Sequence, residues 1–188
     1  MSLNYQTYQK LKNEVSPKIE EDKNIQWYSH SYKVFVSQPM DTLDDFWKMV
    51  SFAYSWMPTI PNIYMEKLED SERLIIELNK LKQGNGNIKW LIETLTPVIN
   101  NSVVGVSKVL HFAAPLEIPI YDSRVIKAWS KLFKENKQLR LQYRPNGDIG
   151  KVLFYIEKMK EWVAECKKEK ENLTLRDIEL VLYYYGRN

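Results

Sequence analysis

Apolar residues recur every three or four positions in segment after segment of this chain, and this spacing most constrains its fold. The stretch 41–58, DTLDDFWKMVSFAYSWMP, shows the pattern. After a polar start, its apolar residues are Leu43, Phe46, Trp47, Val50, Tyr54 and Met57. Side chains spaced in this way share one face of an α-helix, whereas a half-buried strand alternates every second residue. The segment is therefore predicted to be an amphipathic helix that Pro58 closes.

The same spacing predicts helices in six further segments, namely 62–87, 87–101, 105–115, 123–138, 149–171 and 174–188. The first of these is expected to end at the Gly84–Gly86 turn and the last to be capped by Thr174, while RPNGD at 144–148 predicts a turn. Only residues 25–39, IQWYSHSYKVFVSQP, have the β-branched and aromatic enrichment of strands, which predicts an extended arm or a short β-hairpin near the N-terminus. Residues 15–25 are predicted to be a flexible connection. The predicted fold is all-α, with at least six helices.

Length and cysteine content limit the class of protein. With 188 residues and 44% hydrophobic content, the chain can form a single helical domain over 1–188, or two lobes that meet at a cleft near 98–125. Its one cysteine, Cys166, excludes an internal disulfide framework and a Cys-rich metal site. The N-terminus lacks a signal-peptide core, and no apolar run is long enough to span a membrane. We therefore expect a cytoplasmic protein with no membrane partner, no metal and no cofactor, and the sequence leaves the oligomeric state open.

The basic residues are concentrated in one part of the chain. Residues 124–151 contain eight basic side chains and two acidic ones, whereas the whole chain has a net charge of only +3. Uneven charge of this kind can steer a protein onto the phosphate backbone of a nucleic acid. Residues 124–151 are therefore a candidate nucleic-acid-binding region.

A helix that begins near Asp122 would place these charges on one face. The basic residues Arg124, Lys127, Lys131 and Lys134 are three, four and three positions apart, and the opposite face carries Val125, Trp129, Leu132 and Phe133. Asp122 would lie at the helix N-terminus, where a carboxylate accepts hydrogen bonds from free backbone N–H groups. This capping role explains Asp122 without any chemistry, and a basic helix face can equally be a solvated face.

The order of the parts over residues 98–130 resembles the helix-hairpin-helix DNA glycosylase superfamily. In that family a GxGxKxA-like hairpin is followed by a PxDxxVxR-like loop and helix. Here VVGVSKVLHFAAP (103–115) corresponds to the first and IPIYDSRVIKAW (118–129) to the second. The residues that match in order are Gly105, Lys108, Pro119, Asp122 and Val125. Ser107 stands where the family has a second glycine, and no cysteine cluster follows for an iron–sulfur site.

The resemblance implies a role for each of these side chains. Base excision builds positive charge on the sugar after the base is rotated out of the stack, and Asp122 would stabilise that charge or activate the nucleophile. Lys108 would attack the sugar carbon and form a Schiff base in a lyase. Gly105 would let the backbone approach a phosphate, and His111 would contact phosphate or the flipped base. The four basic residues of the helix face would bind duplex DNA.

Each assignment has a simpler alternative. Lys108 can be a surface lysine, His111 a buried core histidine, and Gly105 a turn residue without a ligand. Tyr184 or Tyr185 can offer a ring for base stacking, although aromatic residues at helical spacing also build cores. Two other functions therefore stay open: a non-catalytic nucleic-acid-binding relative of the same fold, and a helical protein that binds another protein.

Overall fold

A computed structural model describes residues 1–57, 59–141 and 146–187 of the chain, and these residues form an all-α protein. The helices are α1 (Tyr5–Glu21), α2 (Ile25–Val36), α3 (Leu43–Ser55), α4 (Ser71–Lys82), α5 (Ile88–Val98), α6 (Val103–Ala113), α7 (Ser123–Leu132), α8 (Gly147–Lys167) and α9 (Leu175–Gly186). A 3₁₀ turn covers Met65–Lys67, and an isolated antiparallel bridge joins Ile63 to Ile99. Over the described ranges there is no strand. The predicted fold class is confirmed.

Local capping sets where several helices begin. Thr42 and Thr174 each form a capping box, in which the threonine hydroxyl accepts from the third helical N–H and an aspartate side chain accepts from the threonine N–H. Both arrangements satisfy backbone donors that have no partner within the helix. The predicted cap at Thr174 is therefore confirmed. At the other end of a helix, Gly84 follows α4 with a φ of 81°, as expected for the predicted turn.

Two predictions about the N-terminal third are wrong. Residues 25–36 form helix α2 instead of an extended arm or hairpin, and residues 15–21 belong to α1 instead of a flexible connection. In α1, Val15 is fully buried. In α2, Phe35 stacks on Phe52 with ring centroids 4.9 Å apart and meets the edge of Phe112 at 5.1 Å. Tertiary packing of this kind outweighs the weak strand preference of aromatic and β-branched residues.

Two other predictions fall partly outside the described residues. The turn predicted at 144–148 includes residues 144 and 145, which are not described, while Asn146 and Gly147 have the positive φ values of 64° and 58°. The helix end predicted at Pro58 also lies outside the described residues, although α3 ends earlier, at Ser55. The segment 123–138 is helical only as far as Leu132.

The chain divides into two compact units. The first unit contains Met1–Tyr28 and Pro119–Asn188, and the second contains Ser29–Ile118. One boundary lies within α2 and the other between Ile118 and Pro119, so the candidate residues on α6 and α7 belong to different units.

The first unit is built from α1, α7, α8 and α9 around two buried tryptophans. Trp129 of α7 meets Trp162 of α8 at a centroid distance of 6.2 Å, and Tyr155 packs edge-on against Trp129 at 5.3 Å. The indole N–H of Trp129 donates to the carbonyl of Leu139 at 2.7 Å, and that of Trp162 donates to the carbonyl of Asn4 at 3.0 Å. Both large rings are therefore buried without leaving a polar atom unpaired.

The end of α9 is tied to the residue that follows α1. Asp22 accepts a hydrogen bond from the Tyr184 hydroxyl at 2.8 Å and pairs with the Arg187 guanidinium. The backbone N–H of Asn24, together with Tyr184 and Arg187, lowers the pKa of the Asp22 carboxyl below its usual value. These contacts hold the C-terminal turn of α9 against the rest of the first unit.

The second unit is built mainly from α3, α4, α5 and α6. Its buried apolar residues include Phe46, Leu78, Leu91 and Val109. Helix α6 lies against α3 and α5, and most of its residues are buried. In the described part of the chain, no helix combines the length and the apolar character that crossing a membrane requires.

Candidate nucleic-acid interface and candidate active site

Helix α7 of the first unit carries a basic face and an apolar face. The side chains of Arg124, Lys127, Lys131 and Lys134 are all exposed, while Val125, Ala128, Trp129, Leu132 and Phe133 are buried. The predicted division of this segment into two faces is confirmed. Lys134 lies two residues after Leu132, the last residue of α7, and its backbone carbonyl accepts from the Arg140 side chain at 2.7 Å.

Two of the four cations lie over tyrosine rings of α9. The Arg124 guanidinium is 5.0 Å from the centroid of the Tyr183 ring and also donates to the Tyr183 hydroxyl. The Lys131 ammonium is 4.6 Å from the centroid of the Tyr185 ring. The attraction between a cation and a ring face places each charge close to the tyrosine. We call Arg124, Lys131, Tyr183 and Tyr185 the cation–tyrosine surface.

These pairs depend on a close crossing of α7 and α9. Gly186 lies so near α7 that a Cβ atom built on it would be 1.9 Å from the carbonyl oxygen of Arg124. Only glycine allows this approach, because it lacks a Cβ atom.

Asp122 is the N-cap of α7, as predicted. Its backbone is extended, and Oδ1 accepts a hydrogen bond of 2.8 Å from the N–H of Arg124. The side chain is partly buried. Its carboxylate thus lies at the positive end of the helix dipole and directly before the basic face.

The segment that precedes Asp122 is held by a buried carboxylate that sequence analysis missed. Glu179 of α9 is 2% exposed, accepts a hydrogen bond of 3.0 Å from the N–H of Ile120, and pairs with Arg176. A buried carboxylate needs such partners to offset the loss of its hydration. The sequence did contain a sign of this buried carboxylate, because Glu179 stands among the apolar residues of α9, three positions after Arg176. Glu179 therefore fixes the backbone two residues before Asp122.

Two buried tyrosines lie next to this segment. The ring of Tyr121 meets the edge of Tyr155 at 5.6 Å. Burial, with a smaller contribution from Asp148, raises the pKa of Tyr121 to about 12, and burial raises the pKa of Tyr155 well above its usual value. Both phenols are therefore neutral at neutral pH and cannot act as phenolate bases beside Asp122.

Lys108 lies on α6 in the second unit and is partly buried. Helix α6 begins at the N-cap Ser102, whose hydroxyl accepts from the N–H of Gly105 at 3.2 Å. Lys108 thus shares a helix with Gly105 and His111, whereas Asp122 and the four basic residues belong to the first unit.

Gly105 is buried inside α6 and does not form the turn before it. The residues with positive φ in that turn are Asn100 and Asn101, at 57° and 46°. Asparagine tolerates this conformation better than most residues, so the turn needs no glycine. At Gly105, an added Cβ atom would be 2.3 Å from the Tyr54 hydroxyl oxygen. The glycine is explained by helix packing, and its buried position gives no support to a phosphate contact.

His111 is a core histidine. Its side chain is fully buried, Nδ1 is 2.6 Å from the Ile118 carbonyl oxygen, and Nε2 is 3.0 Å from the Tyr32 hydroxyl oxygen. Both ring nitrogens therefore have protein partners. The alternative of a buried, hydrogen-bonded histidine is confirmed, and we remove His111 from the candidate DNA-binding surface.

The packing at Gly105 gives a testable pair of substitutions. Gly105→Ala is expected to lower the free energy of unfolding by about 2 kcal/mol, because overpacking forces α3 or α6 to shift. Adding Tyr54→Phe removes the oxygen that the new methyl group meets and should restore part of the loss, with the ring carbon at 3.1 Å limiting the recovery. Urea unfolding of the two single variants and the double variant measures this coupling. Strictly additive effects would contradict the packing explanation.

No group of three or more His, Cys, Asp or Glu residues in the described ranges is arranged to hold a metal ion. Comparisons of the chain with family models, with curated proteins and with solved structures found no match.

Proposed function

We propose that this protein binds DNA and acts on it as a base-excision protein, a DNA glycosylase with or without lyase activity, related to the helix-hairpin-helix superfamily. One observation carries the proposal. Helix α7 and the residues directly after it present four exposed cations, and the helix begins at a partly buried aspartate. This places a carboxylate next to a surface suited to phosphates.

The basic residues account for the binding step. Phosphate contacts by lysine and arginine release counterions, so they give affinity without sequence preference. Residues 123–134 contain no Asp or Glu that would repel a phosphate. We therefore assign DNA binding to Arg124, Lys127, Lys131 and Lys134.

Asp122 accounts for the chemical step. In hydrolysis, the oxygen of a water molecule bonds to the sugar C1′ while the bond from C1′ to the base breaks, and the bonding electrons leave with the base. The Asp122 carboxylate accepts the proton of that water and faces the positive charge that develops on the sugar. The contact between Glu179 and the N–H of Ile120 supports this role, since it restrains the segment that leads to Asp122.

Lys108 accounts for the lyase variant of the reaction. Its amine, when neutral, can replace water as the nucleophile: nitrogen bonds to C1′ while the bond from C1′ to the base breaks and its electrons leave with the base. The C1′–O4′ bond then breaks, its electrons stay on O4′, which takes up a proton given up by the nitrogen, and a Schiff base remains at C1′. Reduction with borohydride traps that intermediate as a covalent complex between protein and DNA. Trapping by the wild type that is lost in Lys108→Gln would assign this step to Lys108.

One observation favours a second function, a non-catalytic nucleic-acid-binding relative. Gly105, which the family motif places at the phosphate-binding hairpin, is buried against Tyr54. A chain that has lost this backbone contact can keep the fold and the basic helix without the reaction. Binding without base release on any substrate is the result that this alternative requires.

Charge reversal tests DNA binding. Lys127→Glu combined with Lys134→Glu is expected to weaken duplex binding several-fold in low salt and to flatten the dependence of log Kd on log salt by about two units, one for each lost phosphate contact. Fluorescence anisotropy over a salt series measures both effects. The matched control is Lys10→Glu combined with Lys12→Glu on α1, which makes the same change in net charge at two exposed lysines.

The control separates a local effect from a general one. Equal weakening by both double variants would mean that net charge, not the α7 face, determines binding. Unchanged binding by the Lys127 and Lys134 variant would exclude this face as the DNA interface, and failure of the wild type to bind DNA would favour a protein-binding function.

A further inference from the structure

We infer that Tyr183 and Tyr185 belong to the nucleic-acid interface, and that the cation–tyrosine surface binds DNA with unpaired bases in preference to fully paired duplex. The inference rests on the proposed function and specifies its substrate class. It starts from the contacts of Arg124 with Tyr183 and of Lys131 with Tyr185.

On this surface two cations of α7 are each paired with an aromatic ring of α9. Arg124 and Lys131 are seven residues apart, which is two helical turns or roughly 10 Å along the axis of α7. Each is paired with a partly buried tyrosine of α9. Proteins that bind single strands combine cations that follow the backbone with aromatic side chains that stack on bases.

The charges around the rings favour a polyanion. Residues 180–187 and 123–134 contain no Asp or Glu, and near Tyr183 the positive charges of Arg124 and Arg187 outweigh the negative charge of Asp122. The charge of Asp22, near the end of α9, is offset by Arg187. Burial raises the pKa of Tyr183 above its usual value, so its phenol carries no charge that would repel phosphate at neutral pH.

Ring faces distinguish unpaired from paired DNA. In a duplex the bases stack on each other, so only the cations of this surface can contribute. In a single strand or a bulge, Lys131 can move from the Tyr185 ring to a phosphate, because its long side chain is exposed, and a base can then stack on the ring. Each stacked base is expected to raise affinity on the order of tenfold. A base rotated out of a duplex presents the same kind of face.

The test compares three probes of equal length: a single strand, a paired duplex, and a duplex with a central bulge. We expect the wild type to bind the single strand and the bulged duplex about tenfold more tightly than the paired duplex. Tyr185→Leu should remove most of this preference, whereas Tyr185→Phe should keep it because the ring remains. The matched control is Tyr64→Leu in the second unit, since Tyr64 also carries a lysine, Lys67, at 4.2 Å from its ring.

The outcomes distinguish this inference from the proposed function. Equal or tighter binding of the paired duplex by the wild type overturns the inference and leaves the proposed function standing, as does a preference that survives Tyr185→Leu. Failure of the wild type to bind any of the three probes overturns both. The wild-type preference is measured without any variant, so a leucine variant that unfolds does not prevent the test.

Discussion

Asp122→Asn is expected to lower base release at least about 100-fold while the melting temperature stays nearly constant. Asparagine caps a helix about as well as aspartate, so the N–H of Arg124 keeps its acceptor. The loss of the interaction between the carboxylate and the helix dipole costs about 0.5 kcal/mol. The substitution therefore removes the charge that faces the developing cation and leaves the helix intact.

The measurement is base release from a panel of duplexes with oxidised, deaminated and alkylated bases, with thermal unfolding in parallel. Asp70→Asn is the matched control. Asp70 is the N-cap of α4, and its Oδ1 accepts from the N–H of Arg73 at 2.9 Å. Both substitutions should change stability equally little, and only the one at Asp122 should change activity.

Two results would contradict the assignment. Release that survives Asp122→Asn would mean that the reaction takes place at another residue. No release from the wild type on any lesion would favour the non-catalytic DNA-binding function.

Gly186→Ala is expected to lower the free energy of unfolding by about 3 kcal/mol, at the upper end of what overpacking costs. The new methyl carbon would start 1.9 Å from the Arg124 carbonyl oxygen and 2.7 Å from its carbonyl carbon. These are backbone atoms, so no rotamer change can relieve the contact, and α7 and α9 must move apart. Urea unfolding measures the loss.

Gly147→Ala is the control for this substitution. A Cβ atom at Gly147 would have no neighbour within 4 Å among the residues that the structure describes, but the φ of 58° makes alanine strained there. Gly147→Ala should therefore lower the free energy of unfolding by about 1 kcal/mol, because only the backbone is strained. Equal losses at the two glycines would show that the crossing of α7 and α9 is not tightly packed.

The crossing also links stability to the proposed interface. Tyr185 immediately precedes Gly186, and the carbonyl that Gly186 approaches belongs to Arg124. A variant that separates the two helices is expected to lose the cation–tyrosine pairs together with stability. Gly186→Ala is for this reason a test of folding, and the tyrosine variants are the ones suited to testing binding.

The sequence by itself determined the helical class, the cap at Thr174, the turn at Gly84, the capping position of Asp122 and the two faces of α7. All of these depend on residues within a few positions of each other. Helical periodicity relates residues three and four apart, and an N-cap contacts the second or third residue of its own helix. Helical periodicity and N-caps can therefore be predicted from a short window of sequence.

Only the tertiary structure decided the features that depend on distant residues. Residues 25–36 look like a strand, but packing of Phe35 on Phe52 and Phe112 makes them a helix. Glu179 holds Ile120, and Tyr183 contacts Arg124, in both cases across 59 positions of sequence. Gly186 is constrained by the backbone of another helix. A periodic pattern of apolar residues does not show which helix faces pack together or how close the helices come. Both depend on the packing of all the side chains in the unit.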